Sequence, residues 1–297
     1  MFINYNMESN GNLLCNKYKI LIRIGSGSFG SVWHIIDKQS KREYAIKIEE
    51  KNAKCRLRNE YNVYKILLRN NILGVPNIRN YFESNTNCYL IMQLLGKSLD
   101  VLMNESEQFN LATVLKIGIT IINLLENIHD AGLVHRDIKP NNFLIGLEQN
   151  NDRLYIMDFG LSKKYVHDGE HIEMKEGKSL VGTARYASLN VHNGLEPSRR
   201  DDLESVGYML IYFLKKKLPW QGLKKKSGVD QIKIIGEHKM NTPIEELCEE
   251  IPQSFMEYIK YCRGLKFEER PNYNYLRQLF VITATKFNII PQYYWCE

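Results

Sequence analysis

The sequence predicts an α+β protein with two lobes, a β-rich N-lobe over residues 17–95 and a helical C-lobe over residues 96–285. Two observations favour this class. Short segments of alternating apolar and polar residues, typical of antiparallel strands, occupy the first part of the chain. Apolar residues at helical spacing dominate the rest, and such segregation of strands from helices is typical of α+β folds. Residues 1–16 are interpreted as an Asn-rich leader, and residues 286–297 as a short C-terminal extension.

The predicted elements follow in chain order. The strand candidates share the alternating pattern and cover residues 19–22, 32–36, 44–48, 78–82 and 89–94. A helix is predicted over residues 53–69, between the third and fourth of these strands. In the C-lobe the apolar periodicity predicts a long buried helix over residues 114–129. Later helices are predicted over residues 201–214, 227–240, 253–264 and 273–285.

The composition excludes several classes of protein. Of the 297 residues, 44% are hydrophobic and 25% are charged, which argues against a disordered chain. The longest apolar stretch, residues 117–128, contains polar interruptions and falls short of the roughly 20 residues that a membrane helix needs. We therefore expect no membrane span. The six cysteines include no C-x-x-C pair, which predicts neither zinc nor disulfides but reduced thiols in an intracellular protein, cytoplasmic or nuclear.

The net charge of +6 fits an acidic partner or substrate, and it fits equally an ordinary surface rich in solvated lysines. No direct nucleic-acid partner is expected.

The first motif is a glycine-rich segment made of Gly25, Ser26, Gly27, Ser28, Phe29 and Gly30. Glycine allows backbone N–H groups to approach phosphate oxygens closely. A β-branched segment follows the motif, whereas a dinucleotide-binding fold would place a helix there. The motif therefore joins two strands, either as a phosphate-binding loop or as a plain hairpin turn.

A lysine and a glutamate extend this motif. Lys47 ends an alternating strand and could neutralise nucleotide phosphates, and Glu60 on the following helix could hold its ammonium by an ion pair. Taken alone, each would more often be a solvated surface residue.

The most specific motif is His135-Arg136-Asp137-Ile138-Lys139-Pro140-Asn141-Asn142, which Asp158-Phe159-Gly160 follows. Asp137 is suited to orient a hydroxyl and accept its proton, and Lys139 to contact a transferring phosphoryl group. Asn142 and Asp158 offer the oxygen ligands that Mg²⁺ prefers. Chance is a poor explanation for the whole ordered set, which spans the 136 residues from Gly25 to Gly160.

This set resembles the signature of eukaryotic-type protein kinases. Within that superfamily the chain resembles casein kinase 1 over about residues 18–280. The segments that carry the closer resemblance are residues 94–99 (LLGKSL), 182–190 (GTARYASLN), 196–205 (EPSRRDDLES), 218–224 (LPWQGLK) and 267–273 (FEERPNY).

The resemblance implies a five-stranded N-lobe with one main helix, and transfer of the γ-phosphoryl group of ATP, with Mg²⁺, to Ser or Thr hydroxyls of proteins. Asp137 and Lys139 would be catalytic, with Lys47 and Glu60 in support, and Thr183 would bond the catalytic Asp and Lys. Asp202 would support the catalytic loop from a buried helix. The residues implied around the nucleotide are the glycine-rich segment with Ile24, Val32, Ala45, Lys47, Met92, Leu95 and Leu144.

Casein kinase 1 enzymes favour acidic or already phosphorylated substrates, which implies an anion pocket at Arg185, Lys178 and Lys224. Gly228 stands where the family has a further lysine, and Lys225 and Lys226 crowd the same loop. These lysines either replace the missing one or form a solvated turn. A monomer is expected.

Three alternatives remain beside this interpretation. The first is a catalytically inactive binding module, against which the intact Lys47, Asp137 and Asp158 argue. The second is a small-molecule phosphotransferase, against which the segments at residues 182–190 and 198–202 argue. The third is membership of a related family, the vaccinia-related kinases.

Overall fold

The computed structural model describes residues 13–14, 16–27, 30–52, 55–106, 108–223 and 230–296. The chain divides into two compact units. Unit 1 comprises Met1–Gly96 and Ile145–Gly160, and unit 2 comprises Lys97–Leu144 and Leu161–Glu297. Residues 145–160, which the predicted boundary assigned to the C-lobe, therefore group with the N-terminal unit.

Unit 1 is built on an antiparallel sheet whose strands, among the described residues, lie in the order β1-β2-β3-β4-β6-β5. The strands are β1 (Leu13–Leu14), β2 (Tyr18–Gly27), β3 (Gly30–Asp37), β4 (Glu43–Glu50), β5 (Ile78–Glu83) and β6 (Asn87–Gln93). The five predicted strands are all present. The sixth, β1, corrects the predicted five-stranded sheet. Its two residues come from the segment interpreted as a leader and pair with Tyr18 and Lys19.

One apolar cluster holds this sheet together. Its members are buried and come from alternating strand positions: Leu14, Tyr18, Ile35, Ile46, Ile48, Tyr89 and Ile91. Helix α1 (Leu57–Arg69) packs against β5 and β6 and buries Val63, Tyr64 and Leu67. It begins at Leu57 and not at the predicted residue 53, and residues 53 and 54 lie outside the described chain.

Unit 2 is mainly helical. Its helices are α2 (Leu99–Glu105), α3 (Leu111–Asp130), α4 (Leu189–His192), α5 (Arg199–Lys215), α6 (Gln231–Asn241), α7 (Ile244–Leu247), α8 (Gln253–Gly264) and α9 (Tyr273–Lys286). Helix α3 packs against α5 and α9, and α5 and α9 both pack against α8. The long buried helix of the prediction is therefore the centre of this unit.

Short strands complete the description. They are β7 (Leu133–Val134), β8 (Phe143–Ile145), β9 (Leu154–Ile156), β10 (Lys163–Lys164), β11 (Val166–His167) and β12 (Glu170–His171). Strand β7 pairs with β10, and β11 pairs with β12. The segment that contains His135, Arg136 and Asp137 directly follows β7 and lies between β7 and β10 in the chain. The sheet-plus-helices division confirms the predicted α+β class.

Helix α3 is the one helix in the described chain that is long and apolar enough to cross a membrane on length and composition alone. The sequence interpretation placed the apolar stretch at residues 117–128 and did not anticipate this. The core helix of a soluble protein meets the same criterion, and α3 buries Leu115, Ile121 and Leu125 among other residues.

Candidate active site

Lys47 lies at the centre of a charged network in unit 1. Its Nζ donates to Glu60 Oε2 at 2.7 Å and to Asp158 Oδ1 at 2.8 Å, and Glu49 Oε1 lies 3.5 Å away. Burial opposes the charge of the lysine, but the attraction of Glu60 and Asp158 outweighs it and raises the pKa of Lys47. The predicted pairing of Lys47 with Glu60 is therefore present, and Asp158 completes it.

Strand and helix geometry produce this network. Lys47 lies on β4 opposite Val32 on one side and Leu90 on the other. Glu60 is on the first turn of α1 and its side chain is completely buried. The carboxylate of Glu49 accepts the backbone N–H of Arg56 at 2.9 Å, immediately before α1 begins, and so ties β4 to the start of that helix.

Asp158 adopts a left-handed backbone conformation with φ of 67°. Its backbone N–H donates to the Tyr64 hydroxyl at 3.3 Å. The next residue, Phe159, is fully buried and packs edge-on against the ring of Tyr64 at 5.0 Å between centroids. These contacts fix the carboxylate of Asp158 beside Lys47.

The glycine-rich segment joins β2 and β3, as predicted. Gly27 pairs with Gly30 across the two strands, and Ser26 pairs with Ser31. Both sequence interpretations, the phosphate-binding loop and the hairpin turn, require this pairing. The predicted Ser28 and Phe29 lie outside the described residues.

The apolar residues predicted around a nucleotide fall into two groups. In unit 1, Ala45 and Met92 are buried and lie opposite each other on β4 and β6. Ile24 is 46% exposed, and Val32 and Leu95 are half-buried. In unit 2, Leu144 forms a β-bridge with Ser98, so its position is set from within that unit.

Asp137 lies in unit 2 with both carboxylate oxygens engaged. Lys139 Nζ donates to Oδ2 at 2.6 Å, and Thr183 Oγ1 donates to Oδ1 at 2.8 Å. The side chain of Asp137 is only 6% exposed, and its backbone N–H donates to His135 Nδ1 at 3.2 Å. The structure thus brings together three of the residues predicted to be catalytic.

The backbone of this loop is held by Asp202 on α5. Its carboxylate accepts the backbone N–H groups of His135 at 2.7 Å and Arg136 at 2.8 Å, and Nε2 of His129 donates to it at 3.0 Å. Burial opposes the charge of Asp202, but these hydrogen bonds outweigh it and lower the pKa of the carboxyl group. This is the supporting role that the sequence interpretation gave to Asp202. His129 and Tyr273, whose hydroxyl lies 2.7 Å from His129 Nδ1, extend the network beyond what any motif indicated.

Gly182 brings the Thr183 hydroxyl to Asp137. Its φ is +90°, and a Cβ atom at this position would lie 2.4 Å from the carbonyl oxygen of Arg136. Only glycine accommodates both the backbone conformation and the close approach.

Two residues offer oxygen ligands for a metal ion. The side-chain Nδ2 of Asn142 donates to the backbone carbonyl of Asp137 at 2.8 Å, which turns the amide oxygen of this buried residue away from that contact. Asp158 is one-third exposed and contributes a carboxylate. The described chain contains no cluster of three or more His, Cys, Asp or Glu side chains able to hold a metal ion. Each of these oxygens, taken by itself, is a hard donor of the kind that Mg²⁺ prefers.

The predicted anion pocket is only partly described. Arg185 is exposed and its guanidinium lies 5.8 Å from the centre of the Tyr186 ring. Lys178 Nζ lies 3.9 Å from the buried carboxylate of Glu196, which also contacts Lys163 Nζ at 2.8 Å and an Arg136 side-chain nitrogen at 3.7 Å. Lys224, Lys225, Lys226 and Gly228 lie outside the described residues.

Sequence reasoning missed Glu196, Lys163 and Lys239. Glu196 belongs to the EPSRRDD run and Lys163 follows Asp158 closely, so both lay within quoted or neighbouring motifs without an assigned role. Lys239 carries no signal in the sequence, where it is one of two lysines in helix α6. Its burial appears only in the structure.

One comparison with known proteins bears on this site. The family model described as "Protein kinase domain" matches residues 18–280, which is most of the chain. The matched region contains every residue of both units discussed in this subsection.

Proposed function

The chain belongs to the protein kinase family, whose members transfer a phosphoryl group from ATP to proteins with the help of a divalent metal ion, and on this premise we propose that it is a serine/threonine kinase of casein kinase 1 type. The proposed reaction is in-line transfer of the γ-phosphoryl group of ATP to the hydroxyl of a Ser or Thr in a protein substrate. The metal is proposed to be Mg²⁺, and the active species a monomer.

The arrangement of Asp137, Lys139 and Thr183 is the observation that carries this proposal. Asp137 is the group that orients the acceptor hydroxyl and takes its proton. Lys139, whose Nζ donates to Asp137 Oδ2 at 2.6 Å, fixes the carboxylate and, in this proposal, neutralises charge on the transferring phosphoryl group. Thr183 holds the second carboxylate oxygen, which limits the directions from which a hydroxyl can approach.

The residues of unit 1 bind the nucleotide in this proposal. The Lys47 ammonium, kept charged by Glu60 and Asp158, contacts the α- and β-phosphates. Ile24, Val32, Ala45, Met92 and Leu95, with Leu144 of unit 2, are the proposed adenine contacts. Asp158 and Asn142 are the proposed Mg²⁺ ligands, and the bound ion would neutralise charge that develops on the phosphate oxygens.

A preference for acidic or phosphorylated substrates is part of the proposal. Arg136, Lys163 and Lys178 bring three positive charges to the single carboxylate of Glu196, which leaves an excess of two positive charges there. Arg185, exposed on the same unit, adds another cation. Guanidinium and ammonium groups bind phosphate oxygens strongly, so this surface supports recognition of an anionic residue in the substrate.

The test is transfer of labelled phosphate from Mg-ATP to dephosphorylated casein and to a pair of peptides with and without a phosphoserine three residues before the acceptor. We expect transfer to casein, preference for the phosphorylated peptide, and label on Ser or Thr. Asp158→Asn is the control, and it should bind ATP more weakly and lose most transfer. Equal turnover of the two peptides would contradict the acidic preference. ATP binding without any transfer would contradict the enzymatic proposal and favour a binding module.

A further inference from the structure

Lys239 on α6 is a fully buried lysine that no motif indicated. Its Nζ donates to three backbone carbonyl oxygens of one short segment, those of Ala184 at 3.1 Å, Arg185 at 3.3 Å and Ala187 at 2.5 Å. An ammonium group has three N–H donors, so this set of acceptors matches it in number. Charge-assisted hydrogen bonds of this kind are among the stronger ones in proteins.

Two aromatic rings complete the surroundings of the ammonium group. Nζ lies 4.8 Å from the centre of the Tyr208 ring and 4.9 Å from the centre of the Trp220 ring. Aromatic faces attract a desolvated cation. Burial lowers the pKa of Lys239 to about 7, while Glu204 opposes this change. The carbonyl oxygens and the rings further favour the charged form.

The same segment has further anchors. Trp220 Nε1 donates to the Arg185 carbonyl at 2.7 Å, and His192 Nε2 lies 3.1 Å from the Ala184 carbonyl and 3.2 Å from Lys239 Nζ. Gly236, one turn before Lys239, allows α6 to approach this histidine, because a Cβ atom there would lie 2.9 Å from His192 Nδ1. Three side chains of unit 2, Lys239, Trp220 and His192, therefore converge on the backbone of residues 184–187.

This segment leads directly to the proposed acceptor site. The backbone N–H groups of Tyr186 and Ala187 donate to the carbonyl of Thr183 at 2.9 and 3.0 Å, and Thr183 in turn bonds Asp137. Arg185, whose carbonyl Lys239 holds, carries a side chain of the proposed anion pocket. A displacement of residues 184–187 would therefore move both the hydroxyl that orients Asp137 and a cation that recognises the substrate.

We propose that Lys239 is a positioning residue for the protein substrate: it fixes the backbone of residues 184–187 and so sets the placement of Thr183 and Arg185. The inference rests on the proposed kinase function, and it concerns binding of the acceptor protein and not of ATP. Lys239 itself touches neither substrate.

The test compares Lys239→Met with the unaltered chain in steady-state kinetics on a phosphorylated acceptor peptide. We expect the KM for the peptide to rise by about tenfold to about a hundredfold, because small misplacements of positioning groups have effects of this size. The KM for ATP should stay within about twofold. Amide hydrogen exchange should accelerate in residues 184–187 and remain unchanged in α3.

Gly236→Ala provides an independent variant that keeps the lysine but displaces His192, and it should shift the peptide KM in the same direction. If Lys239→Met does not fold, the peptide KM of Gly236→Ala tests the proposal in its place. Thr283→Val is the control for lost stability, since it removes a buried hydrogen bond to Ser254 in the same unit. It should lower the melting temperature and leave both KM values unchanged.

An unchanged peptide KM in the variants, or equal changes in the KM for peptide and for ATP, would overturn the proposal. Failure of the unaltered chain to phosphorylate any protein would instead count against the proposed function. In that case the hydrogen exchange of residues 184–187 still decides whether Lys239 fixes the segment.

Discussion

The side chain of Asp137 is held at both oxygens by neighbours from two different parts of the chain, Lys139 two residues on and Thr183 in a distant segment. The second contact depends on a backbone that passes very close to the catalytic loop. Gly182 makes that passage possible, because any side chain there would collide with the carbonyl oxygen of Arg136.

Gly182→Ala should therefore reduce phosphoryl transfer strongly. The added methyl group must push the segment away from Arg136 and carry Thr183 with it, and we expect kcat/KM to fall by about a hundredfold or more. Steady-state kinetics on casein would measure this loss.

Gly169→Ala is a matched control for this change. Gly169 has nearly the same φ, +87°, but no atom lies within 4 Å of the position its Cβ would take. The substitution introduces the same backbone strain without the collision, so activity should change little. Equal losses in the two variants would contradict the close-approach argument.

At the scale of single residues, the sequence identified groups whose chemistry is visible in their type and spacing. Lys47 pairs with Glu60, as the sequence predicted, and Thr183 bonds Asp137, as the resemblance implied. Lys239 could not be identified in this way. Its acceptors are carbonyl oxygens, which every residue has, and they lie more than 50 positions earlier in the chain.

Helix α5 carries two adjacent aspartates with different electrostatic environments. The carboxylate of Asp201 accepts hydrogen bonds from Ser188 Oγ at 2.6 Å and from the backbone N–H of Ser198 at 2.8 Å. Burial nevertheless raises the pKa of Asp201 to about 6. For Asp202 the hydrogen bonds outweigh burial and lower the pKa. The fold therefore stabilises the ionised form of Asp202 and disfavours that of Asp201.

Asp202→Asn should consequently destabilise the protein more than Asp201→Asn at neutral pH. Removing one partner from a buried charged network costs about 3–5 kcal/mol of the free energy of unfolding. For Asp201 the substitution also removes a charge that burial disfavours, so the loss should be smaller, about 1–3 kcal/mol. Chemical denaturation of the two variants would measure the difference, and a larger loss for Asp201→Asn would contradict the assignment.

Element boundaries show where local sequence signals were insufficient. Helix α5 begins at Arg199, two residues before the predicted start, because the Asp201 carboxylate accepts the backbone N–H of Ser198 at 2.8 Å and so fixes the first turn. Helix α6 begins at Gln231, where the Asp230 side chain caps it, and residues 227–229 of the predicted helix lie outside the described residues. In both cases the apolar periodicity predicted the helix but not its first residue, which is determined by hydrogen bonds at the N-terminus.

The pH dependence of stability belongs to the whole molecule, since it sums groups that titrate differently in the folded and unfolded chain. Burial, aided by nearby Lys239, lowers the pKa of His192 from 6.5 to about 4. Between these values the unfolded chain binds a proton that the folded chain does not. The contribution of His192 to stability therefore falls as the pH drops from 6.5 towards 4, by up to about 1.4 kcal/mol per pH unit.

The unaltered chain and His192→Asn differ in their free energy of unfolding. This difference, taken as unaltered chain minus variant, should accordingly decrease as the pH falls from 7 to 5. Asp201 has the opposite sign, because its raised pKa lets the folded chain bind a proton first as the pH falls from 6 to 3.8. The corresponding difference for Asp201→Asn should therefore grow on acidification. Denaturant titrations at several pH values would show both trends, and parallel trends would contradict the environments described for these two groups.

The two-unit division was predictable in outline from the change of hydrophobic period along the chain. The assignment of residues 145–160 to unit 1 could not be predicted in this way. That segment is short, and long-range backbone contacts tie it to the unit, from Ile156 to Gly74 and from Gly96 to Ile145, both at 2.9 Å. Such pairings have no local signal in hydropathy.

Because residues 145–160 belong to unit 1, the parts of this unit are not all available at the same stage of translation. When the ribosome has completed the first 96 residues, every strand of the six-stranded sheet has been made, and Lys47 can already meet Glu60. Asp158, the other partner of Lys47, is synthesised only after α2, α3 and the whole catalytic loop. A nascent chain therefore carries a sheet whose central charge network is incomplete until more than half of the polypeptide has emerged.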